Sequence, residues 1–585
     1  MWMSGAAIAL SAWGPAAAAP AIAIVGATVF DGTGAPPRSA TVLIVEGRIA
    51  EVGAKVKVPR GAVVVDAKGE ALLPGFFDVH THWTPGGVPA TTPQIANAYL
   101  ASGVTTTDDF NPAPESFQVR RKWLSTLAAP HVNLTARMSV PGGHGADWGD
   151  RTTAKWVASP QSARAEVRAV MAYKPDLMKG FQDGWRYGSG ADNNSMDLAT
   201  LSALVDEAHK NGLKVLTHTV TVARGKEAAR AKVDVIAHSL QDADVDPETI
   251  ALMRANGTAY APTLAVYEPV KPGAKAPPED DPRLKQSRAR FAHALHNVKA
   301  LHDAGVTVAL GTDAGMPGTP HGASTLREME LLVQAGLTPT DALLAGTANS
   351  AKALGVAGDR GTIEAGKRAD LVLIKGAPWT DIADVRKTDR VFIDGKLVYG
   401  PGAVVPAANA ASSLAPTLAA ATIDDFERPD GRSAVDTLRT DDFDRGADRS
   451  LQVAQVIPRG PNDHALLLAA SLGQKDDAYA GVDVPLNRGS IQPADARAFK
   501  GVRFDVQGDG KAALVVNTQG GRWTAAVETG AQWRTVEVPF SALAREGGRG
   551  VAGAWRGDDL LEVGVVAAGA PGEKVWMAVD NLRFY

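Results

Sequence analysis

Hydrophobic and polar positions divide the 585-residue chain into stretches of three kinds. From Ala21, the runs AIAIVGATVF, TVLIVEGRIAEVG and AVVVDAKGEALL are short, rich in β-branched residues and divided by Gly, Asp and Pro, which predicts strands joined by turns. The same texture returns near 362–400 in GTIEAGKRADLVLI and DRVFIDGKLVYG. Between these segments, strand-like runs alternate with helical ones such as MDLATLSALVDEAHKNG (196–212) and RLKQSRARFAHALHNVKALHDAG (283–305). Eight strand candidates fall at 75–82, 103–109, 131–140, 175–180, 213–219, 233–239, 258–264 and 305–313. That alternation predicts a parallel sheet with crossover helices, and eight strands is the count of a (β/α)8 barrel, whose chemistry lies at the strand C-terminal ends.

The expected fold class is therefore α/β. A barrel over 74–361 carries a small flanking β-sandwich built from 21–73 and 362–400. The uncharged, Pro- and Ala-rich stretch 401–420 reads as a linker. Beyond it, runs such as FKGVRFDVQGDGKAALVVN, WRTVEVPF and KVWMAVDNLRFY predict a C-terminal all-β sandwich over 421–585.

Composition narrows the chemistry. With 60 Lys plus Arg against 64 Asp plus Glu, the net charge is −4 and no basic block stands out, which argues against nucleic acid or an anionic membrane as partner. The chain has no Cys, so disulfides, thiolate metal sites and a Cys nucleophile are excluded. Residues 1–20 are Ala-rich, carry no charge and end in Ala17-Ala18-Ala19-Pro20, like a small-residue cleavage site without a basic start. They read as an export signal, placing the protein in a periplasm or medium, or as a flexible tail of a cytoplasmic protein. Gly5, Gly14, Pro15 and Pro20 make the stretch a poor membrane span, and no other stretch reads as one.

Five of the eight strand candidates end in a residue able to bind a metal or respond to one. His80 and His82 close the first, and a period of two puts both imidazoles on one face with Thr81 turned away. Lys179 ends the fourth strand, His218 the fifth, His238 the sixth and Asp313 the eighth. Taken singly, each has a plainer reading: a surface lysine, a core histidine, a helix cap. As a set they converge on one mouth of the barrel.

The ordered run PGFFDVHTH, DLMKG, LTH, IAH and GTDAG resembles the amidohydrolase superfamily, in the branch with imidazolonepropionase-like and Xaa-Pro or Xaa-Arg/Lys dipeptidase-like proteins. The resemblance covers roughly 21–400 and fixes no substrate. It implies that His80 and His82 bind the more buried of two divalent ions, His218 and His238 the other, and Lys179, as a carbamate formed with carbon dioxide, bridges them. Asp313 would bind metal and shuttle a proton. Zinc is the expected ion, although His, carboxylate and carbamate also suit Mn, Co or Ni. The implied reaction is cleavage of an amide C–N bond in a peptide-like or N-acyl amino acid substrate by a metal-bridging hydroxide, with Asp313 as base and then acid. A lactonase, a cyclic-amide hydrolase or an organophosphate-type esterase would use the same site. Outside catalysis, the alternative is a glycan-binding protein with a degenerate barrel.

His144, in PGGHG after the third strand, matches a family histidine that contacts substrate or the developing oxyanion. Tyr260 and His321 are further candidates for the mouth, and Arg137 and Arg186 for pairing with a substrate carboxylate. Trp83 and Trp185 would wall the pocket or simply pack. Strand two ends in TTTDDF, and PDLMKGFQDGWRYGSG after strand four is long and aromatic; both depart from the family pattern. The C-terminal runs IDDFE, FKGVRFDVQGDGK and VDNLRFY resemble the galactose-binding-like jelly rolls of the complex I intermediate-associated protein family. That implies a binding or packing module touching carbohydrate or cell envelope, with Trp523, Trp533 and Trp555 either stacking on a sugar or filling the core. The resemblance also implies a homo-oligomer.

Overall fold

Alternating Val, Ile, Leu and Ala from both ends of the catalytic region build one mixed sheet of eight strands. In the computed structural model, which describes residues 20–83, 91–146, 154–444, 446, 448–547 and 554–585, Leu371–Lys375 pairs antiparallel with Glu70–Pro74 and so joins the two segments. The two expected halves of the flanking β-sandwich thus share one hydrogen-bonded sheet, around a core that includes Ile24, Val42, Leu72, Leu371 and Phe392. The expected export signal lies outside the described residues except for Pro20.

Seven strands form the barrel ladder, parallel and in chain order: Phe76–Thr81, Val104–Asp109, His131–Ser139, Leu177–Phe181, Lys214–His218, Val235–Ala237 and Ala259–Ala261. A short extra strand, Ala154–Trp156, adds to the third. The expected eighth strand closes the ring without a regular ladder. Tyr260 N–H donates to the Thr307 carbonyl and Ala309 N–H to the Tyr260 carbonyl, both at 2.9 Å, while Val79 N–H reaches the Leu310 carbonyl at 2.9 Å and Asp313 N–H the His80 carbonyl at 2.8 Å. The segment therefore bonds to both the last strand and the first. Helices return each strand to the sheet. Leu198–Lys210 is typical: Asp197 caps it by accepting from Thr200 N–H, and Leu201, Leu204, Val205 and Ala208 bury one stripe.

The C-terminal region folds into two sheets, of eight and six strands, around a core that includes Phe504, Leu514, Val516, Val563 and Phe584. Trp523 and Trp555 meet edge to face at 5.4 Å against that core, and Arg459 stacks over Trp533 at 4.2 Å. The three rings are partly buried in these contacts and do not form an open stacking platform. The linker is pinned at Asn409, whose side-chain amide donates to Asn97 Oδ1 and the Ala128 carbonyl, each at 2.8 Å. Among the described residues, no helix is long and apolar enough to cross a membrane.

Candidate metal centre

His80 and His82 stand together at the barrel mouth. Their Nε2 atoms stand 3.5 and 3.0 Å from Asp313 Oδ1, so three donor atoms converge from the first strand and the closing segment. Lys179, 1% exposed, places Nζ 2.8 Å from His80 Nε2 and lies over the rings of Phe110 and Phe181 at 4.7 and 4.9 Å. The His238 ring lies 4.4 Å from that of His80 and 4.7 Å from that of His218, and the His144 ring 4.2 Å from that of His218. All six residues expected as ligands are thus in one cluster, with His144 beside it.

The electrostatics suit cation binding. Burial holds His80, His218 and His238 well below the usual imidazole range, helped by Lys179 at His80, by His144 at His218 and by His80 at His238. They remain neutral, with lone pairs to give. Burial alone would raise the Asp313 carboxyl, but His238, the His82 bond and Lys179 outweigh it and keep the group ionised. Burial, opposed by Asp313 and reinforced by Arg137, brings Lys179 down to about 7. The donor set of neutral imidazoles, one carboxylate and one partly neutral amine fits divalent ions, and His–metal bonds of ~2.0–2.1 Å are compatible with the observed convergence.

Local structure fixes these groups. Asp313 sits at φ 60°, a conformation Asp tolerates better than most residues. Behind it, the buried Asp78 carboxylate accepts from Thr312 N–H at 3.1 Å, Thr312 Oγ1–H at 2.7 Å and Thr325 Oγ1–H at 2.8 Å. Thr263 Oγ1 contacts His238 Nδ1 at 2.9 Å, and Asp183 accepts from Val220 N–H, Thr221 N–H and Thr221 Oγ1–H just after His218. Replacing Asp78 with Ala removes the acceptor of the buried Thr312 and Thr325 hydroxyls and leaves Thr312 N–H only a longer contact, 3.4 Å, to the His80 carbonyl, so the expected cost is about 1–3 kcal/mol of stability together with a lower kcat. Thermal unfolding beside steady-state kinetics checks it; an unchanged melting temperature contradicts the role.

The cluster opens into a cavity of about 1750 Å³. His144 and Arg137 line it. Arg137 is 1% exposed and donates from Nη2 to the Asn111 carbonyl at 2.8 Å. Three other candidates belong elsewhere. Tyr260 is fully buried with its hydroxyl accepting from Leu240 N–H at 2.9 Å, so it is a core residue. His321 donates from Nε2 to the His82 carbonyl at 2.9 Å and supports the ligand strand from behind. Arg186 lies exposed, outside the cavity lining. Trp83 is buried and stacks on Tyr99, while Trp185 packs on Tyr187. Sequence reasoning missed the Tyr187–Tyr267 pair, whose hydroxyls meet at 3.1 Å in the cavity wall, and it missed Glu115 and Arg120, which also line it.

Residues 71–398 match the family model described as Amidohydrolase family. The chain belongs to the amidohydrolase family. Among relatives of this amidohydrolase, the imidazolonepropionase of Salinispora arenicola (strain CNS-205) is 28% identical over 377 residues, 60% of this chain and 89% of the relative. The ochratoxinase of Aspergillus niger is 26% identical over 434 residues, 65% of this chain and 87% of the relative. A solved structure described as a putative prolidase from Bifidobacterium longum superposes with a TM-score of 0.58 at 28% identity, covering 66% of this chain and 96% of that one. Membership makes the protein a hydrolase of a family whose enzymes act on C–N bonds and typically use metals, with candidate His and Asp ligands in place.

Proposed function

We propose that this amidohydrolase cleaves the amide C–N bond of a peptide-like or N-acyl amino acid substrate at a two-metal centre. The observation that carries the reading is Lys179, a buried amine held 2.8 Å from His80 within a ring of neutral imidazoles and the Asp313 carboxylate. An ammonium has no lone pair for a metal, whereas its carbamate offers two anionic oxygens. His80 and His82 would hold one ion, His218 and His238 the second, with Lys179 as carbamate between them and Asp313 at the first. When bound, the ions would polarise the scissile carbonyl and make water nucleophilic near neutral pH.

The remaining steps belong to side chains. As the water oxygen bonds to the carbonyl carbon, Asp313 takes the water proton, and it returns that proton to the amide nitrogen as the C–N bond breaks. His144 stands at the mouth to donate to the developing oxyanion. Arg137 is the buried guanidinium that would meet a substrate carboxylate.

The test is metal content per chain together with a screen of dipeptides and N-acyl amino acids. We expect two ions per chain and amide cleavage that disappears with a chelator and returns with Zn, Mn or Co. One ion or fewer with deamination, or turnover confined to lactones or phosphotriesters, would overturn the reading.

A further inference from the structure

The cavity over the metal-type cluster is not walled by the barrel alone. Leu438, Asp442, Asp483, Asn517, Arg522 and Glu562, all from the C-terminal sandwich, line the same space as His82, Lys179 and Asp313. The match to the Bifidobacterium structure spans 96% of that chain but 66% of this one, and the family model ends at 398, so the sandwich is an addition to the family barrel. It is seated closely. Arg432 bonds the buried Glu115 of the barrel, Arg449 reaches the Ala146 carbonyl and lies over Trp156, and a β-carbon at Gly489 would stand 2.3 Å from Ser116 Cβ. Glycine at that position is what lets the two backbones meet.

The wall so formed has a sign. Its carboxylates are Asp441, Asp442, Asp483, Asp559 and Glu562, against the guanidinium groups of Arg522 and Arg556. Arg522 is already engaged, 2.7 Å from Asp442 Oδ2 and stacked over Tyr479 at 5.1 Å. Asp483 is 4% exposed; its Oδ2 accepts from Asn517 Nδ2 at 2.8 Å, and among the described residues its Oδ1 accepts no hydrogen bond. Glu562 takes the second Asn517 contact, also at 2.8 Å, and a bond from Ser490 Oγ. Burial pushes the Asp483 carboxyl well up, with Asp442 and Glu562 adding to the push and Arg522 opposing it. A cation arriving beside these acidic groups would favour the ionised form of Asp483 and pair with it.

We propose that the C-terminal sandwich is the specificity wall of the active-site cleft, and that it selects substrates whose end remote from the scissile bond carries an ammonium or guanidinium group. The volume supports an extended ligand, since ~300–1,000 Å³ suffices for an ordinary small-molecule pocket. The proposal rests on the amide-hydrolase reading for its substrate class, and its test is arranged so that either can fail alone.

Matched N-acyl dipeptides ending in lysine or in norleucine would be compared by kcat/KM on the metal-loaded enzyme. In parallel, saturation-transfer NMR would follow the binding of N-acetyl-lysine methylamide and N-acetyl-norleucine methylamide. The wild type should favour the lysine member of each pair by roughly tenfold or more. Asp483→Asn and Glu562→Gln should erase most of that preference by raising KM for the lysine substrate more than for the norleucine substrate. Gln519→Arg, which adds a positive charge on an exposed residue of the same lining without removing a buried partner, should do likewise. No preference for lysine, or a preference that survives all three variants, overturns the proposal. Lysine-selective binding without any amide hydrolysis would uphold the wall and sink the reaction.

Discussion

Asp313→Asn should lower kcat for amide hydrolysis by about 10²–10⁴-fold, the usual worth of a positioned proton-transfer group. Asparagine is the informative replacement because the position sits at φ 60°, which Asn tolerates as Asp does, so the backbone keeps its shape. The amide retains an oxygen near His82 but cannot take a proton from attacking water. Alanine would mix the loss of the proton acceptor with backbone strain and an empty place beside His80 and His82. Steady-state kinetics, metal content and melting temperature on one preparation separate these effects. A variant that keeps its metal and works within tenfold of the wild type would remove Asp313 from the proton path. If the barrel were degenerate and the protein only bound glycan, the substitution would leave that binding unchanged.

The residues that gather at the barrel mouth were legible because each ends a strand. Strand period put His80 and His82 on one face, and barrel geometry then directs Lys179, His218, His238 and Asp313 to the same opening. The closing segment 305–313 was legible as apolar text, but its broken ladder was not, since hydrogen-bond register leaves no mark in composition. Tyr260 was misplaced because both faces of a parallel barrel strand are buried, so parity cannot tell cavity from core. His321 and Arg186 share a different cause: each lies in a loop, where no period fixes direction. The hydroxyl pair of Tyr187 and Tyr267 joins a loop to the end of the short helix Leu264–Tyr267, 80 residues apart. The sandwich wall was furthest out of reach. The Glu115–Arg432 bond joins residues 317 apart, and neither segment's pattern of apolar positions records what its surface will meet.

Lys179→Ala should leave at most one metal per chain and remove amide hydrolysis, the larger loss being in metal occupancy. Lys179 is 1% exposed and packed between Phe110 and Phe181, where a permanent ammonium is costly. With its pKa brought down to about 7, a substantial share is neutral amine near neutral pH, the form that attacks carbon dioxide. Reaction forms an N–C bond and releases a proton, turning a cation-forming residue into an anionic ligand among neutral imidazoles. Lys179→Met keeps the stem between the two rings and lacks the nitrogen, so it should lose metal as the alanine variant does while melting close to the wild type. Labelled bicarbonate supplies the direct check: a carbamate carbon signal should appear in the wild type and in neither variant. Two metals retained in Lys179→Met, with turnover near the wild-type rate, would show that the imidazoles and Asp313 hold the ions by themselves, and Lys179 would then be only a buried amine hydrogen-bonded to His80.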